Sequence, residues 1–118
     1  MSLPEMKSLQ LAEDIEDYVI NIRRDLHEHP EVSGEEDRTI GQITAELWKM
    51  GLSSEVIKNG GVLSVIEGAR PGKTLVLRGD MDALPMTENK NNLKGEKVVV
   101  SKYDGAAHMC GHDGHTAM

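Results

Sequence analysis

Gly61-Val62-Leu63-Ser64-Val65-Ile66 decides the fold class, because here the apolar pattern changes period. The run is apolar and β-branched, as strands are, and Thr74-Leu75-Val76-Leu77 is a second short run of the same kind. Gly68 to Gly72, containing Pro71, reads as a turn, so these two runs are expected to pair as a hairpin, with Ser53 to Lys58 as a weaker extra strand. Upstream the spacing is helical. Leu11, Ile15, Tyr18, Val19, Ile22 and Leu26 recur on one face, with Glu13, Asp14, Glu16, Asp17 and Arg23 mostly between them. That helix should end near His29, because Pro30 disfavours helical geometry in the residue before it. Ser33 followed by Glu36 predicts a capping box opening a second helix, whose apolar face is Ile40, Ile43, Leu47 and Met50 and which Gly51 closes. Downstream, residues 86 to 97 read as a polar exposed connection, Val98 to Val100 as a short strand, Ser101 to Ala107 as a loop, and Asp113 as a helix start. Helices, then strands, then a helix predict an α/β fold with two helices packed on a mixed β-sheet.

The 118 residues suffice for one domain with a modest core. With no Phe, one Trp and two Tyr, aliphatic side chains and seven Met must fill it. A formal charge of -7 argues against a nucleic-acid partner, whose phosphates would be repelled. One cysteine cannot make an internal disulfide. No apolar run reaches membrane-span length, and the start lacks the basic-then-apolar layout of a signal peptide, so a cytoplasmic protein without a membrane partner is expected.

The chemistry is concentrated at the end of the chain. His108 to Met118 holds the only cysteine and three of the five histidines. Thiolate and imidazole are strong ligands for a borderline-soft divalent metal. In an extended segment residues two apart point to the same side, so Cys110 and His112 are expected to aim sulfur and nitrogen at one ion, with Gly111 letting the backbone approach. The plainer reading is a small core cysteine beside a surface histidine, and the polar neighbours His108, Asp113 and His115 weigh against it. Asp113 either orients a ligand imidazole or offsets a helix dipole. Asp80 and Asp82 follow directly on the expected strand Thr74 to Arg78, where α/β folds place their sites, although an acidic turn would look the same.

His108-Met109-Cys110-Gly111-His112-Asp113-Gly114-His115-Thr116 resembles the metal-site signature of the amidohydrolase branch of the M20 metallopeptidases. Arg23-Arg24-Asp25-Leu26-His27-Glu28-His29-Pro30-Glu31 resembles that family's first-helix motif, and Leu77-Arg78-Gly79-Asp80-Met81-Asp82-Ala83-Leu84-Pro85-Met86 its acidic loop. The resemblance implies that residues 1–118 are the N-terminal part of a zinc-peptidase-like catalytic domain, without the inserted dimerisation domain and the C-terminal half. It implies hydrolysis of the amide bond of N-acyl amino acids or related conjugates by metal-activated water. By the same resemblance Cys110 and His112 bind the metal (zinc or manganese, with cobalt or nickel as alternatives), and Asp82 stands beside it in an orienting role. Asp80 lines the site, and His108, Asp113 and His115 are candidates for positions around the ligands or facing substrate. The general base and the remaining ligands are expected beyond residue 118, the full-length protein is expected to be a homodimer, and these residues alone are expected to be inactive. The first-helix segment is read as mostly structural.

Two other functions are compatible with the residues. A non-catalytic module could bind metal through the Cys-x-His cluster alone, releasing it as the ligands protonate. A cysteine hydrolase with Cys110 as nucleophile would be blocked by iodoacetamide but not by chelators.

Overall fold

The computed structural model describes residues 2–118. Its described elements are four helices and two small antiparallel sheets, an α/β composition as expected.

The apolar periodicity upstream of Pro30 resolves into two helices rather than one. Helix α1, Leu3–Asp14, begins with a capping box in which the Ser2 hydroxyl accepts the Glu5 N–H and the Glu5 carboxylate accepts the Ser2 N–H, with Pro4 in the first turn. Ile15 then leaves helical geometry (φ -108°, ψ 5°) and α2 runs Glu16–Glu28. Periodicity alone does not register a one-residue break between two helical stretches. Helix α1 buries none of its residues, whereas α2 buries Leu26 and His27.

Helix α3, Asp37–Lys49, is not opened by Ser33. The carboxylate of Glu31 caps it from outside, accepting the N–H groups of Arg38 (2.9 Å) and Thr39 (2.6 Å), while Glu36 accepts the Gly34 N–H. A carboxylate satisfies two orphan donors where a hydroxyl would satisfy one. The other end follows expectation. Gly51 sits at φ +77°, with Gly51 N–H on Trp48 O and Leu52 N–H on Leu47 O, a Schellman closure.

The expected hairpin does not form between residues 61–66 and 74–77. Instead β1, Ser54–Ile57, pairs with β2, Gly61–Ser64, in antiparallel register from Ser54↔Ser64 to Ile57↔Gly61. The Lys58-Asn59-Gly60 connection explains the choice: Asn59 adopts φ +59°, and so short a loop costs less closure entropy than one through Gly68 and Pro71. Leu75, Val76 and Leu77 are unpaired and exposed, and Val98 to Val100 form no strand. A small hairpin, β3 Asn91–Asn92 with β4 Gly95–Glu96, lies in the stretch read as a plain connection.

What positions the site is a backbone seam. The Ala83 N–H donates to Glu31 O (2.7 Å), and Leu84 and Ala107 exchange two bonds of 3.0 Å. These make a parallel bridge Val32↔Ala83 and an antiparallel bridge Leu84↔Ala107. The buried apolar residues are Leu26, Ala83 and Ala107. Each comes from, or adjoins, one of the three motif segments, so the core lies where those segments meet. The last helix, α4, His112–Ala117, packs on α2.

Candidate metal centre

His112 opens α4, directly after Gly111 at φ +112°. That left-handed turn puts a bend between Cys110 and His112 where an extended segment was expected. Cys110 is a free, exposed cysteine. The structure gathers His112 with Asp80 and His115 instead, one ligand atom from each lying within 4.8 Å of the others. His115 follows His112 by about one helical turn, which stacks their rings with centroids 5.6 Å apart. Asp80 reaches both, with Oδ2 3.8 Å from His112 Nε2 and Oδ1 3.9 Å from His115 Nδ1.

Asp82 fixes the His112 ring. Its carboxylate Oδ1 and its main-chain oxygen both lie 2.9 Å from His112 Nδ1, so Nδ1 carries the proton and donates to them. The lone pair of the neutral ring is then on Nε2, on the Asp80 side. Helix α4 is tied to the acidic loop again by the Thr116 hydroxyl, which donates to Asp80 O at 2.7 Å. Gly79 suits this approach, since a Cβ there would sit 3.1 Å from the His115 carbonyl oxygen, a tight contact with backbone.

Asp113 lies in the first turn of α4, one of the two placements expected for it, and its carboxylate is not bonded to His112 or His115. It is buried, and its Oδ2 faces α2, 2.7 Å from His27 Nδ1 and 2.8 Å from Arg23 Nε. Burial opposes its charge, but the hydrogen bond from His27 and the Arg23 guanidinium prevail and hold its pKa below the usual aspartate value. His108 is buried with neither ring nitrogen hydrogen-bonded, and burial pushes its pKa down, favouring the neutral ring.

Two residues of this region were missed by sequence reasoning. His27, in the first-helix segment expected to be mostly structural, is 4% exposed and lies between two carboxylates. Its i,i+4 spacing from Arg23 was the available signal. Glu88 sits in the polar stretch where nothing local distinguishes it from Glu96. It accepts from His27 Nε2 (3.0 Å), Lys97 Nζ (2.9 Å) and the Ser101 N–H (2.6 Å). Burial works against its charge, but Lys97, the Ser101 N–H and His27 outweigh it and bring its pKa down to about 2.

With three distant segments converging on a histidine–carboxylate group, comparison with known proteins becomes decisive. No family model matches the chain. A solved structure does: the Bacillus subtilis YXEP protein, described as a dinuclear metal binding peptidase from the M20 family, superposes on 89% of this chain with a TM-score of 0.76 and 38% identity. Over this stretch the chain matches a fragment of M20 family peptidases. Curated proteins similar to this chain include thermostable carboxypeptidase 1 of Saccharolobus solfataricus, 44% identical over 89% of the chain. Another is an N-acyl-L-amino acid amidohydrolase of Geobacillus stearothermophilus, 38% identical over 100% of it. These matches cover 26% and 30% of the two relatives, and 29% of the YXEP chain. The chain thus spans about a quarter of the length of the first curated relatives it matches. Among the described residues, no helix is long and apolar enough to cross a membrane.

Proposed function

We propose that Asp80, His112 and His115 belong to the divalent-metal centre of an M20-type amidohydrolase that cleaves the amide bond of N-acyl amino acids or related conjugates. One observation carries the reading: a carboxylate and two imidazoles from separate segments converge within 4.8 Å, with one imidazole already oriented by a neighbouring aspartate. Ligands bound to one ion at about 2.0–2.2 Å lie roughly 3–4 Å from one another, and the separations from Asp80 are close to that. Mixed oxygen and nitrogen donors suit zinc or manganese, with cobalt or nickel as alternatives. When bound, such an ion polarises the scissile carbonyl and makes water acidic enough to attack it near neutral pH.

The chain's own residues prepare that chemistry. Asp82 holds the His112 tautomer and ring angle, as carboxylates commonly do behind metal-bound histidines. Gly79 and Thr116 keep α4 close against the acidic loop. Cys110, an exposed thiol two residues before His112, is proposed as a further ligand. The amidohydrolase relative supports the N-acyl amino acid class, and the carboxypeptidase relative supports peptides as the alternative substrate of the same bond-breaking chemistry.

Titration with Zn²⁺ and Mn²⁺ tests the centre. D80N and H112A are each expected to weaken binding by at least about tenfold. Unchanged affinity in H112A would remove the proposed centre. Hydrolysis of N-acetyl amino acids by the full-length protein should stop with chelator and return with metal. Activity that survives chelation but is lost to iodoacetamide would instead favour Cys110 as a nucleophile.

A further inference from the structure

A chain of alternating charge, Arg23, Asp113, His27, Glu88, Lys97, lies beside the proposed metal centre, with its three middle members buried and Arg23 at one end open to solvent. Its middle member has a carboxylate on each ring nitrogen, Asp113 at 2.7 Å from Nδ1 and Glu88 at 3.0 Å from Nε2. A neutral imidazole has one N–H and one lone pair, so in either tautomer it would point a lone pair at a carboxylate. Only the doubly protonated ring satisfies both partners. Arg23 and Lys97 share these carboxylates with His27, Arg23 on Asp113 Oδ2 and Lys97 on Glu88 Oε1. The Arg23 guanidinium, 3.1 Å from Nδ1, opposes a charge on the ring, but a neutral ring accepting from Arg23 at Nδ1 would still set that lone pair against Asp113 at 2.7 Å. His108 faces the same cluster as a neutral ring.

We infer that His27, held as an imidazolium, is a positioning residue of the metal centre. Its two N–H groups join α2, the Glu88 segment and α4, and through Asp113 they set the first turn of the helix that carries His112 and His115. The linkage is direct in the chain: Asp113 follows His112, and its Oδ1 also accepts the Gly114 N–H. A shift of α4 would move both imidazoles of the cluster together. Hydrogen bonding to Asp113 raises the pKa of His27 against the opposing effect of burial, consistent with that charge.

The inference rests on the proposed metal centre, and its test separates the two. Long-range ¹H–¹⁵N spectra of histidine-labelled protein at pH 7 should show both His27 ring nitrogens protonated. A deprotonated ring nitrogen would overturn the inference whether or not any variant folds. Zn²⁺ affinity, measured by chelator competition, should fall about tenfold in H27Q. D113N in the H27Q background should lower it by little more, because the two act as one unit. If H112A weakens binding and H27Q does not, the positioning role is wrong and the centre stands. If H112A has no effect, the centre itself falls and the inference with it.

Discussion

The seam region and the segments outside it have similar apolar patterns and opposite fates. Around the seam, residues 27–32, 79–88 and 107–117 are joined by backbone bridges, an ionic chain buried at its middle and a histidine–aspartate pair. Outside it, α1 shows Leu3, Met6, Leu9 and Leu11 to solvent, and Leu75, Val76 and Leu77 are each at least 80% exposed. Hydrophobic spacing describes the second region as well as the first, but order across long sequence separations exists only where polar groups find specific partners.

Breaking the ionic chain should have the largest effect. D113A would leave His27 buried with one carboxylate instead of two, and loss of one partner of a buried pair costs about 3–5 kcal/mol, readable as a lower urea midpoint. If D113A falls within the range of ordinary surface changes, the contrast between the regions is lost.

Acid should weaken the same region next. Glu88 has a folded pKa of about 2 against 4.5, so its stabilisation is complete above pH 4.5 and is lost as pH falls toward 2. Its upper bound is roughly 3 kcal/mol. E88Q should flatten the acid limb of urea stability between pH 5 and pH 2 relative to the parent. His27 acts with the opposite sign. Its contribution is full below pH 6.5 and fades as pH rises through its higher folded pKa.

Much of this contrast could be read in advance, and the unread part has a common cause. The α/β class, the Gly51 closure, the end of α2 before Pro30 and a helix near Asp113 all follow from local rules, because periodicity and backbone preference act over a few residues. The neighbours of His112 did not. Gly111 at φ +112° turns the chain after Cys110, and Asp80, whose carboxylate lies beside the His112 ring, comes from 32 positions upstream (112 − 80 = 32). The Glu88–His27 contact escaped for the same reason, whereas the Glu31 cap escaped because it reaches across seven and eight residues, farther than a capping box spans.

Smaller perturbations sharpen the comparison. G79A places a Cβ 3.1 Å from the His115 carbonyl oxygen and should cost about 1–3 kcal/mol by overpacking. G72A meets nothing within 4 Å and should change far less in the same thermal melt. Least of all, L9A on α1 should stay within about 0.5 kcal/mol, because that side chain is already half exposed. A large loss there would mean that α1 is held by something other than its own capping box.

The seam also fixes when the centre can exist. Bridging Ala83 to Val32 closes a loop of 51 positions (83 − 32 = 51), and His27 meets Asp113 across a separation of 86. The β1–β2 turn closes over three residues, and such hairpins form in about 1–10 μs. Loop entropy must be spent before these distant contacts return anything, so the metal-binding geometry belongs to the late, slow part of folding. A nascent chain therefore carries its histidines and thiol unassembled until residues near 113 have met α2, and the proposed centre has no geometry before then.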